Sequence, residues 1–363
     1  MSEKMKIISI ETIKLKIPLN KPMKTRYLKL EQVYCLLLIV KTDKGLVGQG
    51  LVRAVSLLDI NLVEQCVQTL FLPQIIKKEP TLPEALWQSL WLSKRNHLQS
   101  SYALYALAAI DIAVWDLQAQ FLNKPLHQLF KAEKDFIVPY GNGGWLIDTK
   151  QEMYEEVKWY LDQGCCHFKM RVGCENDVER IKFLRDTFGE ELKLAADANQ
   201  YFDFSSAVEF SKYLADFNIV WFEEPLFSSS LTELAELAEQ SSVPIATGEN
   251  MNSHWQVQDA CTLNAAKIFQ PDVIYQGGIT EFKRSAEIID KANLVLGAHL
   301  FHELSSSLAG LCKKHYVEHI DFFPEDLFIH DFSIQEGKII LPKIPGHGAT
   351  VSRAAIKKYQ IDL

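Results

Sequence analysis

The chain has no excess of basic residues, no C-x-x-C pair and no long uncharged apolar run. Each absence removes a class of function. Lys and Arg number 38 against 46 Asp and Glu, a formal charge of −8, so the basic face that nucleic-acid binding requires is missing. The seven cysteines include the adjacent Cys165 and Cys166 but no C-x-x-C. That odd count without metal spacing reads as reduced thiols, and a cytoplasmic location is expected. No window reaches the ~18 apolar residues of a membrane span. The opening MSEKMKIISIETIKLKIPL carries charges throughout and alternates apolar with polar residues, the pattern of a strand and not of a secretory leader. What is present, 48% hydrophobic and 23% charged residues in a chain of 363, suits a globular protein of more than one domain.

Two textures follow one another. Residues 5–16 read as a strand, and VYCLLLIVKTDKGLVGQGLVRA as a hairpin turning at Asp43, Lys44 and Gly45. Helical patterns cover 60–78, 82–95 and 102–120, and SYALYALAAIDIAVWDLQAQF is apolar almost all round, as a deeply packed helix would be. From residue 131 short apolar runs alternate with amphipathic helices, beginning with DFIVPYGNGG and ending with HYVEHID. Strand–helix alternation indicates parallel β-structure with crossover helices, and eight strand candidates fit a closed barrel better than an open sheet. Seven helices are clear and the last unit is degenerate. The fold class expected is α/β: a modified (β/α)7β TIM barrel over 131–325 with an α+β domain over 1–130. The tail, 326–363, is strand-rich and is expected to return to the first domain.

Polar residues recur where the barrel strands end: Lys169 and Arg171, then Asp197, Glu223, Glu249, Asp272, His299 and Glu318. Asp197, Glu223 and Glu249 follow one another at intervals of 26 residues, one strand–helix unit each. Residues at matching heights on successive strands converge on one rim, where three carboxylates repel strongly. A divalent cation relieves that repulsion, and an all-oxygen site with open positions suits Mg²⁺. Taken singly, any of these acids reads as a helix cap or surface charge; Asp197 could bridge to Lys193, and Glu224 could face solvent. Three in register, flanked by cations and by an Asp–His pair, are better explained together.

In order, FKMRVG, DANQ, WFEEP, TGEN, QPD and AHLF resemble the enolase superfamily, specifically its mandelate racemase subgroup, over essentially the whole chain. The resemblance makes the first domain a capping domain. It implies Mg²⁺ on Asp197, Glu223 and Glu249, an acid/base dyad of Asp272 and His299, and Glu318 hydrogen-bonded to a substrate carboxylate. The muconate-lactonizing branch would carry a lysine on the sixth strand, where this chain has Asp272. The implied chemistry is removal of the proton next to a carboxylate, with metal and cations stabilising the enediolate. His299 has the intrinsic pKa for a base near neutrality, and Asp272 would fix its tautomer. The expected substrate is a small-molecule carboxylate, and a homo-oligomer is what the family implies.

The resemblance also gives meaning to Lys169 and Arg171, which a strand turns to one side. In racemase relatives the second cation is commonly a lysine that serves as base on the face opposite the histidine. Neutralising a free lysine at pH 7 costs about 4.6 kcal/mol, but an arginine about 7.5 kcal/mol or more. Arg171 is therefore a permanent cation. This favours one-base dehydration of an acid sugar to a 2-keto-3-deoxy acid over racemisation or epimerisation of a 2-hydroxy acid; a ligand-binding barrel without turnover is a third reading. Asn199, on the same face as Asp197, could contact a substrate hydroxyl or cap a loop. His302 could face the cavity or the core. Gly277 and Gly278 before Thr280 could cradle a phosphate or form a plain tight turn. By resemblance, specificity comes from loops near 18–28 and 50–56, where Arg26 and Arg53 are substrate-binding candidates, although each alone reads as a surface charge.

Overall fold

A computed structural model of the chain describes residues 4–25 and 27–361. The first three strands, β1 (Ile7–Lys24), β2 (Lys29–Thr42) and β3 (Val47–Ala54), form an antiparallel sheet in that order. Gly45 takes a positive φ of 80° in the turn before β3. β1 runs further than its polar second half suggests. Its register shifts between Pro18 and Met23, an irregularity that accommodates two prolines without ladder N–H groups. Met23 then returns to the core. The expected 18–28 loop is thereby reduced to the few residues between β1 and β2, and Arg26 lies outside the described residues.

The helix Ser101–Phe121 lies across this sheet, buried along most of its length. Gly48 and Gly50 make that approach possible: a Cβ on Gly50 would sit 1.9 Å from the Ala109 carbonyl oxygen. The helix also carries two buried acids that explain why so apolar a segment is not uniformly so. Asp116 accepts the Gln49 and His347 N–H groups, and Asp111 accepts the N–H and hydroxyl of Thr280. One helix thus fastens the sheet to the C-terminal segment and to the barrel.

After a short strand, β4 (Phe136–Ile137), eight parallel strands close into a barrel: β5 (Pro139–Gly143), β6 (His167–Arg171), β7 (Lys193–Asp197), β8 (Phe222–Glu223), β9 (Ile245–Thr247), β10 (Ile268–Phe269), β11 (Val295–Ala298) and β12 (His315–His319). Seven crossover helices join them, from Lys150–Asp162 to His302–Ala309; no helix follows β12 before the next strand. The fold is the (β/α)7β arrangement with an antiparallel sheet domain. Inside the barrel Tyr140, Ala195, Trp221, Ala246 and Ile268 pack as a separate buried cluster, a floor beneath the strands' carboxyl ends. A final hairpin, β13 (Ile334–Gln335) and β14 (Lys338–Ile340), pairs with β4. The helix Arg353–Tyr359 then packs on β1, where Ile361 N–H donates to the Lys14 carbonyl at 3.0 Å. No helix among the described residues is long and apolar enough to cross a membrane.

Candidate active site

Strand alternation carries Lys169 and Arg171 on β6, Asp197 on β7, Glu223 on β8 and Glu318 on β12 into the barrel mouth. The register aligns Arg171 with Asp197 and Asp197 with Glu223. Glu249 follows β9 after Gly248, whose φ of 131° turns the chain against the Gln270 backbone. Ligand atoms of Asp197, Glu223 and Glu249 lie within 4.8 Å of one another.

Lys169 Nζ reaches Glu223 Oε1 at 2.6 Å, Glu318 Oε1 at 2.8 Å and Asp197 Oδ2 at 3.2 Å. Arg171 Nη1 pairs with the same Asp197 oxygen, and its guanidinium lies 5.3 Å from the Trp145 ring centre. Burial works against the charge on Lys169, but Glu223 and Glu318 outweigh it and hold the amine well above its ordinary pKa. Arg171 is likewise shifted upward: burial opposes its charge and Asp197 more than compensates. Glu223 is pushed up to about 8, first by burial and then by the charge of Asp197.

On the opposite side, Asp272 lies just past β10. Its Oδ1 accepts the Ile274 and Tyr275 N–H groups, and its Oδ2 lies 2.9 Å from His299 Nδ1. Burial would raise the Asp272 pKa, but the His299 hydrogen bond and the Arg53 charge bring it below the usual value. His299 Nε2 is left facing the cluster, 3.3 Å from Glu249 Oε2 and 3.9 Å from Glu318 Oε2. Burial lowers the imidazole pKa, but Glu249, Asp272 and Glu318 together raise it above its ordinary value.

Several residues occupy places that the sequence did not suggest. Arg53 is no surface charge: it is buried at the end of β3 and Nη2 donates to Asp272 Oδ2 at 3.0 Å, so its first partner is the acid of the dyad. Its guanidinium is flanked by the rings of Tyr275 and Phe322. Glu318 accepts Asn142 Nδ2 and, at 2.9 Å, the Leu300 N–H. Burial would raise its pKa, but Lys169 and His299 keep it low, so it stands as an acceptor. Asn199, at a positive φ of 45°, donates its backbone N–H to Asp197 Oδ1. His302 does not join the cluster: its ring packs 4.4 Å from that of His319, on the outward side of β12. Glu224 does not face solvent; it is fully buried, and Asn250 Nδ2 donates to both its oxygens. Gly277 and Gly278 offer no phosphate cradle. The Asp111 carboxylate already occupies that helix start, and a Cβ on Gly278 would meet it at 2.5 Å.

Asn142 had no motif to announce it, and Gln270 and Trp221 stood without a role of their own at the head of QPD and WFEEP. Gln270 Nε2 donates to Glu223 Oε2 at 2.6 Å and Trp221 Nε1 to the same oxygen at 3.1 Å. These donors hold Glu223 Oε2, and Lys169 takes Oε1. The mouth holds five acids, Asp197, Glu223, Glu249, Asp272 and Glu318, against Lys169, Arg171 and Arg53. That excess of negative charge on an all-oxygen donor set fits a hard divalent cation.

Such a mouth suits an enzyme that handles an anionic substrate by proton transfer. Residues 7–130 match the mandelate racemase/muconate lactonizing enzyme N-terminal domain, and residues 152–355 match the enolase C-terminal domain-like family. The chain therefore belongs to the mandelate racemase/muconate lactonizing enzyme family of the enolase superfamily, and it is an enzyme. Arabinonate dehydratase of Saccharolobus solfataricus is 27% identical over 338 residues, 88% of this chain and 89% of its own. N-succinyl-L-Arg/Lys racemase of Bacillus cereus is 25% identical over 284 residues, 76% and 74% of the two chains. The structure of L-talarate dehydratase from Polaromonas sp. JS666, complexed with Mg and L-glucarate, superposes with a TM-score of 0.90 at 27% identity, over 99% of this chain and 98% of that one.

Proposed function

We propose that the protein is a Mg²⁺-dependent dehydratase of an acid sugar, an aldonate or aldarate, and that His299 serves as both base and acid. One observation carries this reading. The position opposite the His299–Asp272 pair holds Arg171, a guanidinium buried against Asp197, so proton exchange is available from one face. The dehydratase relatives support the same reading.

Asp197, Glu223 and Glu249 would hold the metal, which when bound draws electron density from the substrate carboxylate. Lys169 and Arg171 sit on the same rim and favour the negative charge that grows there as the α-proton leaves. His299 Nε2 takes that proton, while Asp272 keeps Nδ1 protonated and the ring oriented. The imidazolium so formed then protonates the departing β-hydroxyl, which leaves as water. The enol that remains takes up a solvent proton at the β-carbon to give the 2-keto-3-deoxy acid. Glu318, held by Asn142 and the Leu300 N–H, stays a carboxylate and positions Lys169.

The test is proton NMR in D₂O with Mg²⁺ and a panel of aldonic, aldaric and simple 2-hydroxy acids. The expected product is a 2-keto-3-deoxy acid deuterated at C3, absent with His299→Asn. Exchange into both epimers without loss of water would replace this reading with an epimerase. Mg²⁺ binding with no exchange on any acid would favour a barrel that binds but does not turn over.

A further inference from the structure

β12 separates two environments. Glu318 points into the barrel, whereas the next residue, His319, points out of it, where the Tyr160 hydroxyl lies 3.1 Å from Nδ1. In the other barrel units a helix covers the outer side of the wall. After β12 there is none, and the stretch 320–333 lies there instead. A cavity of about 690 Å³ lies between this stretch and the helices Lys150–Asp162 and His302–Ala309, and it shares no lining residue with the carboxylate cluster.

The chemistry of its wall is one-sided. Six carboxyl groups line it, and no lysine or arginine does. Two are paired from outside: Glu156 faces Lys21 at 3.9 Å and Asp326 binds Lys358 at 2.8 Å. Among the described residues, Glu303, Asp321, Glu325 and Asp331 have no ion pair with lysine or arginine; Asp321 accepts only the Asn20 amide. Glu303 and His302 are 4% and 6% exposed, yet Glu303 Oε2 and His302 Nδ1 have no hydrogen-bond partner. Buried polar atoms left unpaired cost free energy that a ligand can recover. Beside three histidines, His302, His319 and His330, the wall carries the aromatic faces of Trp159, Tyr160, Phe323, Phe328 and Phe332. Acids among aromatic faces favour a cation with an organic body. A bare metal ion fits poorly: the carboxylates of Asp197, Glu223 and Glu249 form the one group of converging metal-type ligands among the described residues.

We propose that this cavity is a second small-molecule site, for an organic cation bearing an ammonium or guanidinium group, seated on Glu303 and Asp321 with its body against the aromatic wall. Two of the three histidines on this wall, His319 and His302, do not oppose such a charge. Burial pushes His319 down to about 4, and His302 is lowered well below its ordinary value by burial and then by His319. Burial lifts Glu303 to about 8 against the smaller opposing influence of the Arg53 charge, and a cation seated on the carboxyl would favour its charged form. An acid-sugar substrate, an anion, would be repelled here.

The probe is agmatine, which carries both cationic groups, titrated calorimetrically into the full chain with Mg²⁺ present. Saturable binding with one site per chain is expected, weakened about tenfold or more by Glu303→Gln, which removes a charge-assisted contact. Asp321 is exposed, so Asp321→Asn should keep the fold while also weakening binding. Trp159 gives a local signal: agmatine should change the protein fluorescence, and Trp159→Phe should abolish the change. The proposal fails if agmatine does not bind at millimolar concentration, if both charge variants bind as the parent does, or if the neutral 1,4-butanediol binds equally well. None of these outcomes depends on which reaction the barrel performs.

Discussion

At the residue scale, the division of labour rests on the contrast between His299 and Arg171. His299→Asn should abolish α-proton exchange, a loss of about 10²–10⁴-fold, with the melting temperature nearly unchanged; substantial residual exchange would mean that another group is the base. Arg171→Lys restores a group that can release its proton. It should bring measurable deuterium exchange from the second face on a substrate that the parent exchanges from one face only, read by NMR of the recovered acid. Exchange that remains one-sided would show that the position lacks the geometry of a base whatever its pKa. The two cations and three acids of this rim were legible in the sequence because a barrel repeats its strand ends at regular intervals. Their outer partners were not. Arg53 meets Asp272 across 219 residues and Asn142 meets Glu318 across 176. No periodicity links such pairs; only closure of the barrel and docking of the sheet bring them together. His302 was open between the cavity and the core for the opposite reason: three residues after His299 is nearly one helical turn, but the chain passes through Leu300 and Phe301 at positive φ before that helix begins, and the side chain emerges outside the wall.

At the element scale, β3 and the helix Ser101–Phe121 together deliver Arg53 to the barrel mouth. Their contact is backbone to backbone at Gly48 and Gly50, and Arg53 is three residues further along the same strand. Gly50→Ala therefore forces the helix away from the sheet. A cost of about 1–3 kcal/mol or more is expected from overpacking, measured by urea denaturation, together with a fall in activity as Arg53 withdraws from Asp272. Unaltered stability would mean that the helix has room to shift. The helices, the hairpin turn and the eight strands were readable from apolar periodicity, since each buries one face against a neighbour. The length of β1 was not, because Pro18, Asn20 and Pro22 imitate a loop where the sheet instead takes up an irregularity. The two glycines before Thr280 were equally ambiguous: they serve a close approach, and the anion at that helix start is the chain's own Asp111.

At the scale of the whole molecule, stability should depend on the mouth and on the outer wall in opposite ways that one set of measurements can separate. Mg²⁺ bound to the native carboxylates and not to the unfolded chain should stabilise by about 2.7 kcal/mol at a hundred times its dissociation constant, an increment removed by EDTA and by Glu249→Gln. The outer wall responds to protons. His319 is buried with its pKa lowered to about 4 by desolvation, whereas in the unfolded chain it titrates near 6.5. Below pH 6.5 the unfolded state binds a proton that the native state does not, so stability falls as pH falls, until the native imidazole itself protonates near 4. The full contribution is about 3 kcal/mol, and His302, shifted the same way, steepens the slope. Urea midpoints measured with excess Mg²⁺ between pH 7 and 4.5 should therefore decline, and His319→Gln should flatten the decline by about one proton. A variant that is destabilised equally at every pH would show that His319 titrates in the native state as it does in the unfolded chain, and that the outer wall admits a charge the packing around it does not suggest.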